Sequence, residues 1–317
     1  MGGALDPVVA DGRRRLRLAL DDLPPGSRVD VALSGGADSL ALAACLSFVA
    51  TRAGWLAGAV IVDHGLQAGS DEVAARAAEQ AVGLGLAAEV VPVEVGTDGG
   101  PEAAARDARY AVLRSRPVDA VLLAHTLDDQ AETVLLGLGR GSGPRSLAGM
   151  PEVDGMVRRP FLGLRRADTE RICAASGLPW WTDPHNADRG FRRSRLRHEV
   201  LPLLEDVLDG GVAESLARTA DQLRADTALL DELAAEVADP CDVPLLAAMP
   251  PALRTRVLRR AALEAGADGS ALAAVHVGEL DRLVTDWHGQ ERVELPGRVS
   301  ASRVGDALRF SPTPVAG

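Results

Sequence analysis

Two short clusters in this chain carry residues suited to chemistry. The first is Ser34-Gly35-Gly36-Ala37-Asp38-Ser39, which follows a β-branched run at 28–33 and opens a helical pattern at 37–52. Paired glycines let the backbone approach an anion closely, and a helix start offers unpaired N–H groups at its positive dipole end. Ser34 and Ser39 add hydroxyl donors. In a strand–turn–helix setting these six residues read as a phosphate-binding turn rather than an ordinary capped turn. Asp38 would repel a bare phosphate, so it implies Mg²⁺ between the two, or a cationic partner. The turn is neither GxxxxGK[ST] nor GxGxxG. The second cluster holds Asp128, Asp129 and Glu132, three acids within five positions. Acids in a first helical turn complement the dipole and stay solvated, which accounts for a lone one. Asp129 and Glu132 are three apart and share a helix face. Beside a phosphate site, such a pair suits Mg²⁺ or a substrate ammonium. His64 and His125 each follow a strand candidate, where a hydrogen-bonded loop histidine is an equal alternative.

The elements that must position these clusters alternate. Apolar runs at 28–33, 59–62, 89–95 and 120–124 are separated by helical patterns at 37–52, 70–86 and 101–114, and a further helix begins near Asp128. Pro92 makes the third run an edge or a bulge. Buried strands separated by a dozen or more helical residues indicate a parallel sheet with right-handed crossovers. Ligands sit beyond the carboxyl ends of such strands, where Ser34–Ser39, Asp63–Gly65 and His125–Glu132 all fall. Residues 137–166 read as loop. Helices are predicted at 167–176 and 191–208. Gly210-Gly211 is the best boundary, giving a first domain over 1–209 and a second over 210–317. The second is predicted to be α+β and largely helical, with helices near 212–237, 251–265 and 271–286 and terminal strands at 292–295, 298–304 and 307–310.

Composition bounds the rest. The chain has 317 residues, 47% apolar and only 3% aromatic, so its core is built mainly of Ala, Val and Leu. No apolar run approaches the ~20 residues of a membrane helix, and no apolar segment near the start suggests a signal peptide. Cys45, Cys173 and Cys241 form no CxxC pair, zinc set or disulfide framework. The expectation is a soluble, cytoplasmic chain. All 34 basic residues are Arg, and the net charge is −11. Residues 140–205 depart from the rest, with 12 Arg against 8 acids, a net +4.

The hexapeptide resembles the PP-loop of the N-type ATP pyrophosphatases, which cut ATP between the α and β phosphates. Further segments narrow the likeness to the tRNA(Ile)-lysidine synthase family. Residues 62–66 (VDHGL) and 102–113 (EAAARDARYAVL) are similar to that family's VDHGL segment and its E-x-x-A-R-x-x-R-Y-x-x-L helix. Residues 124–133 (AHTLDDQAET) resemble AHHxxDDQxET. Residues 140–150 (RGSGPRSLAGM) and 158–162 (RRPFL) match its following loops. The stretch from Asp183 to Arg197 resembles D-x-x-N-x-x-x-x-x-R-N-x-x-R. Together these cover about 30–205. Thr126 stands where the family often has a second His, and Ser194 replaces the usual Asn.

The resemblance implies an adenine nucleotide α-hydrolase-like α/β fold, a parallel sheet with helices on both faces, followed by a substrate-binding domain. It implies a ligase that adenylates carbon 2 of the wobble cytidine in isoleucine tRNA with a CAU anticodon. Free lysine then displaces AMP, and the codon read changes from AUG to AUA. Ser34, Gly35, Gly36, Ala37, Asp38, Ser39, Asp63 and His64 would bind ATP, with Asp38 holding Mg²⁺. Arg109, Asp129 and Glu132 would bind lysine, Arg109 through a bidentate contact to its carboxylate. Asp38, Asp128 and Asp129 are the candidate catalytic acids, any of which could take the amine's proton. A charge run is ordinarily a solvated face. Beside a nucleotide-modifying site, Arg140, Arg145, Arg192, Arg193, Arg195 and Arg197 read instead as tRNA contacts. Trp180 and Trp181 read as packing residues. A homodimer is left open. The alternatives are a PP-loop tRNA thiolase, which would need sulfur-carrying cysteines, and an ATP-binding regulatory domain of similar fold.

Overall fold

The computed structural model describes residues 6–65, 69–96, 100–141, 143–183 and 189–313. Leu66, Ser142 and 184–188, with His185 and Asp188, lie outside them. In chain order the elements begin α1 (Pro7–Ala19), β1 (Arg28–Ala32), α2 (Ala37–Ala53), β2 (Leu56–Asp63), α3 (Ser70–Gly83) and β3 (Ala87–Pro92). They continue with α4 (Pro101–Arg114), β4 (Ala120–Leu122), α5 (Leu127–Arg140), α6 (Pro144–Leu147), β5 (Val153–Asp154), β6 (Val157–Arg158) and α7 (Arg166–Ala175). Next come α8 (Arg192–Arg195), a π-turn at Leu196–Val200, α9 (Leu201–Val207), α10 (Val212–Ala235), α11 (Val243–Ala248), α12 (Pro251–Glu264) and α13 (Ala274–Thr285). Strands β7 (Val293–Leu295), β8 (Val299–Val304) and β9 (Ala307–Pro312) close the described chain.

The chain forms two compact units, one of residues 1–135 and 150–217, the other of 136–149 and 218–317. The first holds a six-stranded sheet in the order β3-β2-β1-β4-β6-β5. All its pairings are parallel except β5 with β6. Strand alternation sends Val29, Val31, Ala59, Ile61 and Leu122 to one face, where α1, α2, α3 and α7 cover them with residues such as Leu16, Leu40, Ala77 and Ile172. Val60, Val121, Leu123 and Val157 face the other way, onto Leu113 and Tyr110 of α4. Helices therefore cover both faces, as expected. The strand order reverses between β1 and β4, so a crevice opens beyond their carboxyl ends. The loops leading to α2 and α5 flank it.

Three readings need correction. Helix α1 was not foreseen. Residues 137–166 are not all loop, because α5 runs to Arg140 and the stretch adds β5 and β6, each only two residues long. Helix α11 also goes unannounced by sequence. The second unit is mainly helical with a three-stranded antiparallel sheet, β7-β8-β9, and its core gathers Leu246, Leu258, Leu280 and Ala301.

Gln130 fixes where α5 meets the chain returning toward β5. It is buried, its amide donates to the Met150 carbonyl at 2.9 Å, and its carbonyl accepts from the Met150 N–H at 2.7 Å. Gln130→Ala removes both bonds and is expected to lower unfolding free energy by about 2–4 kcal/mol. Urea titration checks this, and a change below about 0.5 kcal/mol would mean that this clamp is not holding the segment.

Candidate active site

The turn after β1 is shaped by its glycines and serines. Gly35 has φ of +79°, which a side chain resists, and the Trp181 N–H donates to its carbonyl at 2.9 Å. Ser39 Oγ donates to the Gly36 carbonyl at 3.0 Å and lies 3.2 Å from Ser34 Oγ. Gly36 is the N-cap of α2, and no side chain caps that helix. Its first amides are therefore open to an anion. This donor set fits nucleotide phosphate. Among the described residues no three His, Cys, Asp or Glu side chains are grouped to hold a metal. Mg²⁺ carried on phosphates needs only one or two protein carboxylates, and Asp38 can supply one.

Asp38 leads into an acid–arginine cluster. Its carboxylate accepts from the buried Thr169 hydroxyl, and its other oxygen lies 3.6 Å from Arg166 Nε. The Arg166 guanidinium also reaches Asp129 at 2.9 Å and Glu132 at 3.9 Å. Arg197 meets Glu132 at 2.8 Å and Asp129 at 3.4 Å. Three carboxylates thus share two guanidiniums. Burial pushes Asp38 up to about 6, and neighbouring Asp129 adds to the rise against Thr169 and Arg166. Burial also raises Glu132, against its bond to Arg197. Burial opposes ionisation of Asp129 too, but there Arg166, His125, the Thr126 N–H and Arg197 outweigh it and hold the carboxyl low.

A second group packs behind. Arg165 binds Asp128 at 3.1 Å, Glu205 at 3.2 Å and Glu214 at 2.7 Å. Asp128 also accepts from the Arg166 N–H at 2.8 Å, so both its oxygens are occupied in joining the starts of α5 and α7. That is a structural use of a residue expected to be catalytic.

The other half of the crevice is cationic. His64, His125 and Arg109 interact electrostatically, and Arg106 and Arg159 also bear on His125. Burial drives His125 well below its ordinary value against the pull of Asp129, and these arginines add to the fall, so it is neutral near pH 7. Burial and Arg109 lower His64 as well. His64 Nδ1, His125 Nδ1 and Arg109 Nε are buried without hydrogen-bond partners. Orphaned buried polar atoms mark a place where another molecule completes the bonding.

Comparison with known proteins agrees with this geometry. A PP-loop domain model matches residues 11–204, and a TilS substrate binding domain model matches 242–309. A tRNA(Ile)-lysidine synthase of Streptomyces coelicolor is 54% identical over 90% of this chain and 86% of its own. One from Thermobifida fusca is 53% identical over 92% and 94%, and one from Mycobacterium tuberculosis 53% over 87% of each. The chain belongs to the tRNA(Ile)-lysidine synthase family. Among solved structures, a U34-tRNA thiolase of Methanococcus maripaludis shares the fold, with TM-score 0.58, 20% identity, and coverage of 68% of this chain and 79% of that one.

In this tRNA(Ile)-lysidine synthase family member, the structure gathers Asp38, Asp129 and Glu132 at one end of the crevice, with Arg109, His64 and His125 near one another. The expected RNA-facing arginines do not form one set. Arg140 and Arg145 belong to the second unit, where Arg145 pairs with Asp231 at 2.6 Å. Arg195 and Arg189 both meet Glu199, at 3.2 and 3.6 Å. Arg197 turns inward to Asp129 and Glu132. Arg193 bears on Arg109. Sequence reasoning missed Arg165, Arg166 and Thr169. The only signal was the Arg165-Arg166 pair opening a helix, and an arginine pair does not announce which acids it will meet.

Asp38 yields two predictions. Thr169→Val removes a bond that favours its carboxylate, so the acid limb of the pH profile for ATP-dependent pyrophosphate release should move to higher pH. An unmoved limb would detach that limb from Asp38. Asp38→Asn should abolish the release yet raise the melting temperature at neutral pH. The folded state binds a proton at Asp38 between about pH 4 and 6 that the unfolded chain has released, so stability falls as pH rises through that window. The asparagine gain should vanish below about pH 4.

Proposed function

We propose that this chain ligates lysine to carbon 2 of the wobble cytidine of isoleucine tRNA with a CAU anticodon, using ATP and releasing AMP and pyrophosphate. The observation that carries this reading is the charge imbalance beside the PP-loop. Among the described residues, Asp38, Asp129 and Glu132 pair with the two guanidiniums of Arg166 and Arg197, which leaves one negative charge for a ligand cation. The ammonium of lysine supplies it at Asp129 and Glu132, and Arg109 takes the carboxylate. Ser34, Ser39 and the first amides of α2 take the phosphates, with Asp63 and His64 at the adjacent strand end. Mg²⁺ would sit at Asp38, where it would offset charge developing on the departing pyrophosphate.

Adenylation converts a poor leaving oxygen into a good one, and the attacking amine must be neutral. Burial, helped by neighbouring arginines, keeps His125 uncharged, so it does not repel an incoming cation. Residues 1–209 carry this chemistry, and 210–317 serve to bind tRNA. The reading places the reaction in the cytoplasm. A thiolase is not favoured. Cys45 and Cys173 are buried, and burial pushes both thiols up to about 12, far from reactive thiolates.

The direct test is incubation with ATP, bulk tRNA and labelled lysine, which should place label in RNA. Glu132→Gln and Asp129→Asn each weaken a charge-assisted bond worth about 1.5–3 kcal/mol. Each should raise the KM for lysine about tenfold or more, with a smaller change for ATP. Lysine kinetics indifferent to both variants would remove the ammonium from this pair of acids.

A further inference from the structure

Many arginines of the basic segment lie against acids, although Arg192 and Arg195 remain exposed there. Within 140–205, Arg145, Arg158, Arg165, Arg166, Arg171 and Arg197 each hold an acid within 3.3 Å. Helices α1 and α2 present the opposite case. Arg13, Arg14, Arg17 and Arg52 line a cavity of about 600 Å³ with Phe48 and Leu18, and no acid contributes to its wall. Among the described residues, Arg13, Arg17 and Arg52 make no ion pair. Arg14 is held by Asp11 at 2.7 Å.

Phe48 organises this groove. The Arg13 guanidinium lies 3.4 Å from its ring centroid and that of Arg52 3.5 Å, so one ring carries two like charges. Stacking on the ring fixes each guanidinium plane; one Arg52 N–H donates to the Phe48 carbonyl at 3.1 Å, and its remaining donors face outward with no acid partner among the described residues. Arg13 Nε is buried and lacks a hydrogen-bond partner. Arg17 and Arg52 lie in the last turns of their helices and are exposed, where they complement the dipoles. Dipole complementation accounts for those two separately. It does not account for Arg13, or for stacking two cations on one ring. Leu18, 57% exposed, adds an apolar surface at the rim. Such a groove fits a phosphate chain with sugar or base surface between its charges.

We propose that this α1–α2 groove is a second contact surface for the phosphate backbone of the tRNA substrate. The inference rests on the tRNA-modifying reading above. The groove lies toward the end of α2 remote from the PP-loop. At ~1.5 Å per residue its α2 residues, from Phe48 to Arg52, lie about 14–20 Å along the helix from Ser39. A nucleic-acid stem of roughly half a dozen base pairs spans that distance. Contact there would brace an arm of the tRNA while its wobble base occupies the crevice.

The test uses the full chain carrying Arg13→Gln, Arg17→Gln and Arg52→Gln together. Affinity for full-length tRNA, measured by fluorescence anisotropy from 50 to 300 mM salt, should fall about tenfold. The salt slope should become shallower by about 2, since each phosphate contact contributes ~0.7–0.9. The KM for tRNA should rise, with kcat and the lysine and ATP requirements unchanged. Relief of like-charge repulsion and loss of dipole complementation and ring stacking oppose each other, so the melting temperature should change little. A lower melting temperature with unchanged tRNA binding would instead make the cluster structural and overturn the proposal. Unchanged affinity and slope in a stably folded variant would also overturn it, and would leave an acidic protein as the groove's occupant. A wild-type chain that binds tRNA but transfers no lysine would sink the reading of the reaction, while the binding comparison still decides the groove.

Discussion

Three carboxylates around two guanidiniums make the constraint on which the crevice depends. Ion pairs this deeply set contribute little net stability, because desolvation offsets attraction. Breaking one is another matter, since the surviving charge is left buried and uncompensated. The cluster therefore fixes geometry more than it adds stability. Arg166 reaches an acid of the phosphate turn and an acid of α5 at once, so the beginnings of α2, α5 and α7 must stay in register. Behind it, Asp128 ties the Arg166 backbone N–H to α5, and Arg165 gathers acids from α9 and α10. The sheet supplies the platform, but these charges determine how its loops close.

The same arrangement explains what sequence could and could not disclose. Short apolar runs and helical patterns around glycine-marked turns revealed the parallel sheet, because apolar burial is written locally. Pro92 correctly pointed to an edge, since β3 ends the sheet order. Strands β5 and β6 were illegible. Two residues are too few for alternation to register, and their pairing depends on partners elsewhere in the chain. Helix α1 was overlooked because four arginines crowd it, although Val9 and Leu16 on its inner face are buried. The acids of the site were visible through spacing. Their counterions were not, because Arg166 and Arg197 lie 37 and 68 residues from Asp129. Long-range charge pairing leaves no periodic trace.

Segment charge proved a poor guide to surface charge for a related reason. Several arginines of 140–205, Arg165, Arg166 and Arg197 among them, are held by acids, some local and some distant. Residue counts treat each charge as free, whereas a paired guanidinium has little field left for a polyanion. The arginines of α1 and α2 gave no comparable signal, because Asp6, Asp11, Asp21 and Asp22 lie among or beside them in sequence. In space those acids do not line the groove.

An acidic protein that handles RNA must also keep its own carboxylates from repelling the substrate. The net charge of −11 sounds prohibitive. Screening changes the arithmetic, since charges separated by more than ~8–10 Å interact weakly at physiological salt. The acid cluster lies near the start of α2, and the arginine groove lies about 14–20 Å away toward its other end. RNA at the groove would therefore feel its guanidiniums and little of the catalytic acids. Within the crevice the acids are already two-thirds compensated by Arg166 and Arg197. Local compensation, not overall charge, is what allows a negative chain to hold a negative substrate.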